Sequence, residues 1–185
     1  MNEVPETQLV EVCLAAAQAA GTHALSNRNR RTEADHTSAH DIKLRLDVES
    51  QERAEAVIRK AFPDHAVIGE ERGLRETGRR YAWVIDPIDG TVNFSHGLPY
   101  WCSSVAVQLE GRTVAGAVVL PMLGETYTAT AGGPALLNGS PIRVSSVRSL
   151  AGSIVYTGMV EKDGDDGVST RMMDRVAPAV QKIRM

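Results

Sequence analysis

Val84-Ile85-Asp86-Pro87-Ile88-Asp89-Gly90-Thr91-Val92-Asn93-Phe94 is the stretch on which the fold turns. The apolar run Tyr81-Ala82-Trp83-Val84-Ile85 leads into it and reads as a buried strand. That strand meets Asp86 and Asp89, spaced by Pro87 and Ile88 and followed at once by Gly90. Proline fixes φ and glycine permits a positive φ, so the segment predicts a tight turn. Such a turn aims both carboxylates and the Ile88 carbonyl at one point. A second apolar run, Ala66-Val67-Ile68, ends in Gly69-Glu70-Glu71. Both acidic pairs follow strand-like runs, so both are expected at one sheet edge.

Hard divalent cations take several anionic oxygen ligands, and this set supplies them. It suits two magnesium ions roughly 3.5–4 Å apart, bridged by a shared carboxylate. A helix starting at Gly90 and Thr91 would turn their N–H groups outward as an anion site. Metals beside an anion hole describe a metal-dependent phosphatase. Asp-Pro and Asp-Gly also form ordinary turns, and paired glutamates usually lie on a solvated surface. Their joint occurrence, each after a buried strand, favours the metal reading.

Outward from this centre, residues 5–25 predict a helix, with Leu9, Val12, Cys13, Ala16 and Ala20 on one face. Residues 26–40 are polar and predict an exposed, mobile loop. Residues 49–62 predict a second helix through Ala54, Val57, Ile58 and Ala61, stopped by Phe62-Pro63. Ser104–Leu109, Thr113–Leu120 and Glu125–Ala131 read as strands, and Asn138-Gly139 as a hairpin turn before Ile142-Arg143-Val144. Helices first and an antiparallel meander after predict α+β layers. Asp163, Asp165 and Asp166 lie in a polar Gly-Asp loop whose spacing does not match an EF-hand.

The 185-residue chain is 43% hydrophobic and 23% charged with net charge −3, which predicts a globular protein without attraction to nucleic acid or anionic membrane. Aromatic residues are only 4%, too few for base-stacking platforms. No run approaches a membrane span, and the N-terminus lacks the features of a signal peptide. A cytoplasmic location is expected. Cys13 and Cys102 read as reduced core thiols. Arg28, Arg30 and Arg31 form the densest basic patch, a small one.

The chain resembles the inositol monophosphatase family, magnesium-dependent and lithium-sensitive phosphatases related to fructose-1,6-bisphosphatase. Trp83-Val-Ile-Asp-Pro-Ile-Asp-Gly-Thr-Val-Asn-Phe94 matches the family's first signature almost residue for residue. Gly69-Glu70-Glu71 matches its glutamate motif, and Asp41-Ile-Lys-Leu-Arg-Leu-Asp47 resembles the segment before the second helix. Asn138-Gly139 with Pro141-Ile142 resembles a later pattern, so the likeness runs from about residue 5 to residue 160.

The resemblance implies a layered αβαβα sandwich. It implies that Glu70, Asp86 and the Ile88 carbonyl hold a first magnesium, and that Asp86 and Asp89 help hold a second. Thr91 with Asp47 would help activate the attacking water, and Glu70 would share in that catalysis. Asp89 and the Gly90 and Thr91 amides would grip the phosphate. Glu71 would at most support this shell. Asp47 also reads as an N-cap for the helix that follows. His96 reads as a loop histidine.

The family's second signature, Trp-Asp-x-Ala-Ala-Gly, has no counterpart: neither Trp83 nor Trp101 precedes an aspartate. The expectation is a truncated member with incomplete C-terminal layers, split into a metal-binding half at 1–150 and the start of a second half at 151–185. The leading expectation is hydrolysis of inositol monophosphate or a related sugar-alcohol phosphate. Relatives also act on histidinol phosphate, fructose 1,6-bisphosphate and adenosine 3′,5′-bisphosphate. The alternative is a weakly active remnant with a binding or regulatory role. Partners are expected to be a small phosphorylated substrate and, as in relatives, a second copy in a homodimer.

Overall fold

A stripe of small residues sets how the first helix packs. The computed structural model describes residues 3–37, 42–71, 73–74, 79–156 and 168–184. α1 (Glu6–Ser26) buries Leu9, Cys13, Ala16, Ala17, Ala20 and Ala24. Alanines at this spacing let the helix lie close against a sheet. The polar stretch after it is not simply an exposed loop. It forms a turn of 3-10 helix at Arg28–Arg30 and then β1 (Ala34–Thr37), antiparallel to β2 (Ile42–Leu44).

α2 (Arg45–Ala61) begins several residues before the expected start at 49. Asp47 is therefore not the N-cap. It sits in the first turn, where its carboxylate accepts the Leu44 N–H at 3.1 Å. β3 (Ala66–Gly69), β4 (Gly73–Leu74) and β5 (Tyr81–Asp89) follow, then the short α3 (Thr91–Ser95). β6 (Cys102–Leu109), β7 (Arg112–Leu120), β8 (Glu125–Thr130), β9 (Leu136–Leu137) and β10 (Ser140–Pro141) complete the meander. Asn138 (φ 48°) and Gly139 (φ 79°) make the expected β9–β10 turn. The return strand is only Ser140–Pro141, and Ile142-Arg143-Val144 is not a strand.

These strands form one eight-stranded sheet in the order β10-β9-β8-β7-β6-β5-β3-β4. β3 runs parallel to β5, with Gly69 opposite Ile85, whereas β5 through β10 pair antiparallel. One face carries Trp83, Ile85, Val105, Val107, Ala115 and Ala117 into the core against α1 and α2. Each fully buried aliphatic there, such as Ile58, contributes roughly 1.5–3 kcal/mol. Trp83 Nε1 donates to His65 Nδ1 at 3.0 Å, so its polar atom is satisfied within the aromatic stack of Phe62, His65 and Tyr81. The opposite face carries Val84, Ala106, Gly116 and Val118, and forms a shallow groove of about 440 Å³.

The chain divides into two units, Met1–Ile142 and Arg143–Met185. The second unit contains β11 (Ile154–Tyr156), α4 (Val168–Val176) and β12 (Lys182–Arg184), with β11 parallel to β12. Asp163, Asp165 and Asp166 lie outside the described residues. No helix among the described residues is long and apolar enough to cross a membrane.

Candidate functional site

The parallel β3–β5 pair brings the two acidic motifs together. Parallel neighbours end on the same side, so Glu70 leaves β3 where Asp86 stands on β5. The Glu70 N–H donates to Ile85 O at 3.1 Å, extending that register by one residue. The Glu70 charge acts on the Asp86 carboxyl and helps push it up.

β5 then departs from regular pairing. Asp86 faces Ser104 and Asp89 faces Cys102, with an irregularity between them. A bulge re-aims side chains, and here it turns the strand through Pro87 and Ile88. Ser103, wholly buried, donates its hydroxyl to Pro87 O at 2.6 Å and so ties the bulge to β6. Ser103→Ala should therefore cost about 1 kcal/mol of stability, read from the urea midpoint of unfolding. An unchanged midpoint would deny this anchor.

Gly90 follows at φ 92°. A Cβ there would lie 3.0 Å from Tyr100 O, so both conformation and space require glycine. The Thr91 hydroxyl donates to Ile88 O at 3.0 Å. α3 has only five residues, so its orphan N–H groups, and not a sizeable macrodipole, supply any attraction for an anion.

α2 faces the acidic cluster with a polar stripe: Asp47, Ser50, Gln51 and Glu55 are all buried. Gln51 donates to Glu55 at 2.7 Å and accepts the Glu71 N–H at 3.0 Å, which fixes the turn carrying the glutamates. Asp47 and Thr91 share no hydrogen bond among the described residues, for each is engaged elsewhere.

The electrostatics follow from this crowding. Burial first, then repulsion from Glu71, Asp86 and Glu70, pushes the Asp47 carboxyl up to about 8, against the Leu44 N–H bond. Burial and the charges of Glu70 and Asp89 push Asp86 up to about 7. Cys102 is not a core thiol. It is half-buried, donates to Asp89 at 3.6 Å, and is pushed up to about 12 by burial and then by Asp89, so it stays protonated. Cys13 is buried in the core as expected.

These residues suit a hard cation in kind. Every donor is oxygen, the carboxylates repel one another, and Asp86 Oδ1 is buried without a hydrogen-bond partner. Among the described residues no three acidic, imidazole or thiol groups close into a full cage. Glu70 and Asp89 are exposed, so the cluster is open to solvent on one side. Cys102, Ser103 and Gln51 were not among the candidate site residues read from the sequence. Cys102 and Ser103 meet the acidic turn only through the β5–β6 register. Gln51 could have been found as a polar residue on the buried side of a helix. His96 lies exposed just past α3 and joins none of these bonds.

The sequence pattern of the family described as "Inositol monophosphatase family" matches residues 6–184. "Nus factor SuhB" of Pasteurella multocida is 39% identical over 153 residues, covering 81% of this chain and 57% of that protein. "Inositol monophosphatase" of Dictyostelium discoideum is 33% identical over 172 residues, covering 91% and 63%. The chain thus spans less than two thirds of the curated relatives it matches. The solved Thermotoga maritima IMPase superposes with a TM-score of 0.80 at 32% identity, covering 94% of this chain and 66% of that one. An extragenic suppressor protein suhB from Bartonella henselae gives a TM-score of 0.86 at 27% identity, covering 96% and 69%.

Proposed function

The chain belongs to the inositol monophosphatase family, and from that footing we propose that it serves magnesium-dependent hydrolysis of a phosphate monoester, with inositol monophosphate or a related sugar-alcohol phosphate as substrate. The observation that supports this most is Asp86, whose Oδ1 is buried without a partner in a field of like charge. A divalent cation is the natural counter-charge for such a group.

Glu70, Asp86, Asp89 and the Ile88 carbonyl would hold magnesium. When bound, it supplies charge neutralisation at the phosphate and a more acidic water. The chain's own groups do the rest. The Thr91 hydroxyl gives its proton to Ile88 O, which leaves its lone pairs to orient a water. Asp47, pushed up to about 8 in the metal-free chain, holds its proton near neutral pH, and the positive charge of a bound cation would lower it into the range where it accepts one. The Gly90 and Thr91 N–H groups receive phosphate oxygens. Ser103, through its bond to Pro87 O, fixes the backbone from which these groups project.

The second reading is a binding or regulatory role with feeble catalysis. It is favoured by relatives named Nus factor. Substrate choice among histidinol phosphate, fructose 1,6-bisphosphate and adenosine 3′,5′-bisphosphate, a cytoplasmic setting and homodimer formation belong to the same proposal.

The test is phosphate release from inositol 1-phosphate with magnesium titrated. Asp86→Asn is expected to lower magnesium-dependent release about 100-fold, because it removes a ligand charge. A folded parent chain that binds magnesium by calorimetry without releasing phosphate would favour the second reading. One that does neither would sink both.

A further inference from the structure

The densest basic patch of the sequence splits in space, and its two halves have different surroundings. Arg30 is fully engaged: its guanidinium forks onto Glu49 at 2.8 and 3.0 Å and bonds Glu33 at 3.0 Å. Arg28 and Arg31 meet no carboxylate among the described residues. Each reaches only a backbone carbonyl at 3.4 Å, Leu25 O and Arg28 O respectively. Arg31 Nε is buried and has no acceptor among the described residues. A buried guanidinium N–H with nothing to bond is costly and uncommon.

Both side chains line one cleft of about 180 Å³, whose other walls are Phe94, Leu98, Trp101 and Met122. Phe94 and Trp101 meet edge to face at 4.9 Å and are almost wholly buried, so that wall is rigid. Leu98 and Met122 are about half exposed and form an apolar rim. Gly97, at φ 77°, lets the backbone pass beside the Arg31 guanidinium, for a Cβ there would lie 3.5 Å from Nε. The floor thus offers a planar, multidentate cation, the walls offer aromatic and aliphatic surface, and the volume excludes anything large.

The geometry points to a small-anion site, separate from the acidic cluster, that holds a compact oxyanion attached to an apolar group. The Arg31 guanidinium matches phosphate or carboxylate oxygens through its terminal N–H groups, with Arg28 as the second charge. The apolar portion lies against Phe94, Trp101, Leu98 and Met122. Nothing in this argument uses the acidic cluster, so the site stands whether or not the chain hydrolyses phosphate esters.

Phenyl phosphate and inorganic phosphate are the probes, titrated calorimetrically into the full chain with a chelator present. Without a divalent cation the acidic cluster repels an oxyanion, so the signal reports the arginine cleft. Phenyl phosphate is expected to bind several-fold more tightly than inorganic phosphate. Arg31→Gln should weaken it at least tenfold, with Arg31→Lys intermediate because the charge stays and the fork goes. Arg28→Gln should also weaken it, and serves if the Arg31 variant fails to give a native circular dichroism spectrum. Asp86→Asn should leave the affinity unchanged. Equal affinity in parent and arginine variants, no saturation at millimolar phenyl phosphate, or an equal loss in Asp86→Asn would each overturn the assignment.

Discussion

Gly69→Ala should lower the unfolding free energy by about 3 kcal/mol and disorder the turn that carries the two glutamates. A Cβ at position 69 would overlap the carboxamide of Gln51. Gln51 is wholly buried and cannot swing into solvent. Its carboxamide also holds the Glu71 N–H and Glu55, so any retreat breaks two hydrogen bonds in a low-dielectric interior. The damage should be coupled. In a Gln51→Ala background the overlap disappears and Gly69→Ala should cost far less than in the parent, although the double variant stays weaker than the parent. Denaturant unfolding of all four proteins closes the cycle. Additive costs would show that the glycine is needed for some other reason.

The second large effect is a fall in the metal-free chain's stability as pH rises. Asp47 and Asp86 both have folded pKa values raised above the ordinary carboxylate value of 3.8, to about 8 and about 7. Below that ordinary value both states are protonated and the full stability is present. As pH rises, the unfolded chain ionises first while the folded chain retains its protons, so stability drops through the folded pKa values. The two groups share one repulsive field, so the losses are less than additive, and about 3 kcal/mol is expected between about pH 5 and 8. Glu49 works in the opposite sense and lower down. Arg30 and then His23 hold it at about 2, so its contribution is present above the ordinary range and fades on acidification. The profile should therefore peak near about pH 4. Asp86→Asn should flatten the alkaline limb, and saturating magnesium should flatten it in the parent alone. A metal-free chain equally stable at both ends of that range would contradict the crowding described above.

Much of the site was legible because its chemistry is local in sequence. Asp86 to Thr91 form one turn, and Pro87 and Gly90 announce it. The first helix, the meander and the Asn138-Gly139 turn follow from periodicity and turn chemistry. What escaped lies in register and in polar burial. The β1–β2 pair is short and polar, with no alternation to betray it. α2 turns a polar stripe inward, and apolar periodicity alone favoured Ala61, which is exposed, over Gln51, which is buried. Cys102 looked like a core thiol because nothing in the sequence shows that a bulge sets it opposite Asp89. The three arginines read as one patch, and only the fold separates the paired Arg30 from its two neighbours.

The sheet closes at each end with a strand of two residues, Gly73–Leu74 on one side and Ser140–Pro141 on the other. Neither offers a ladder long enough to template a further strand, and Pro141 has no N–H to give. Fibril-like growth by edge addition to this sheet is therefore disfavoured at the edge strands Gly73–Leu74 and Ser140–Pro141. Copies that meet at this sheet would do so through side chains, with its grooved face as the contact surface. Such clustering should answer to solvent composition and dissolve again, where a backbone-templated aggregate would persist.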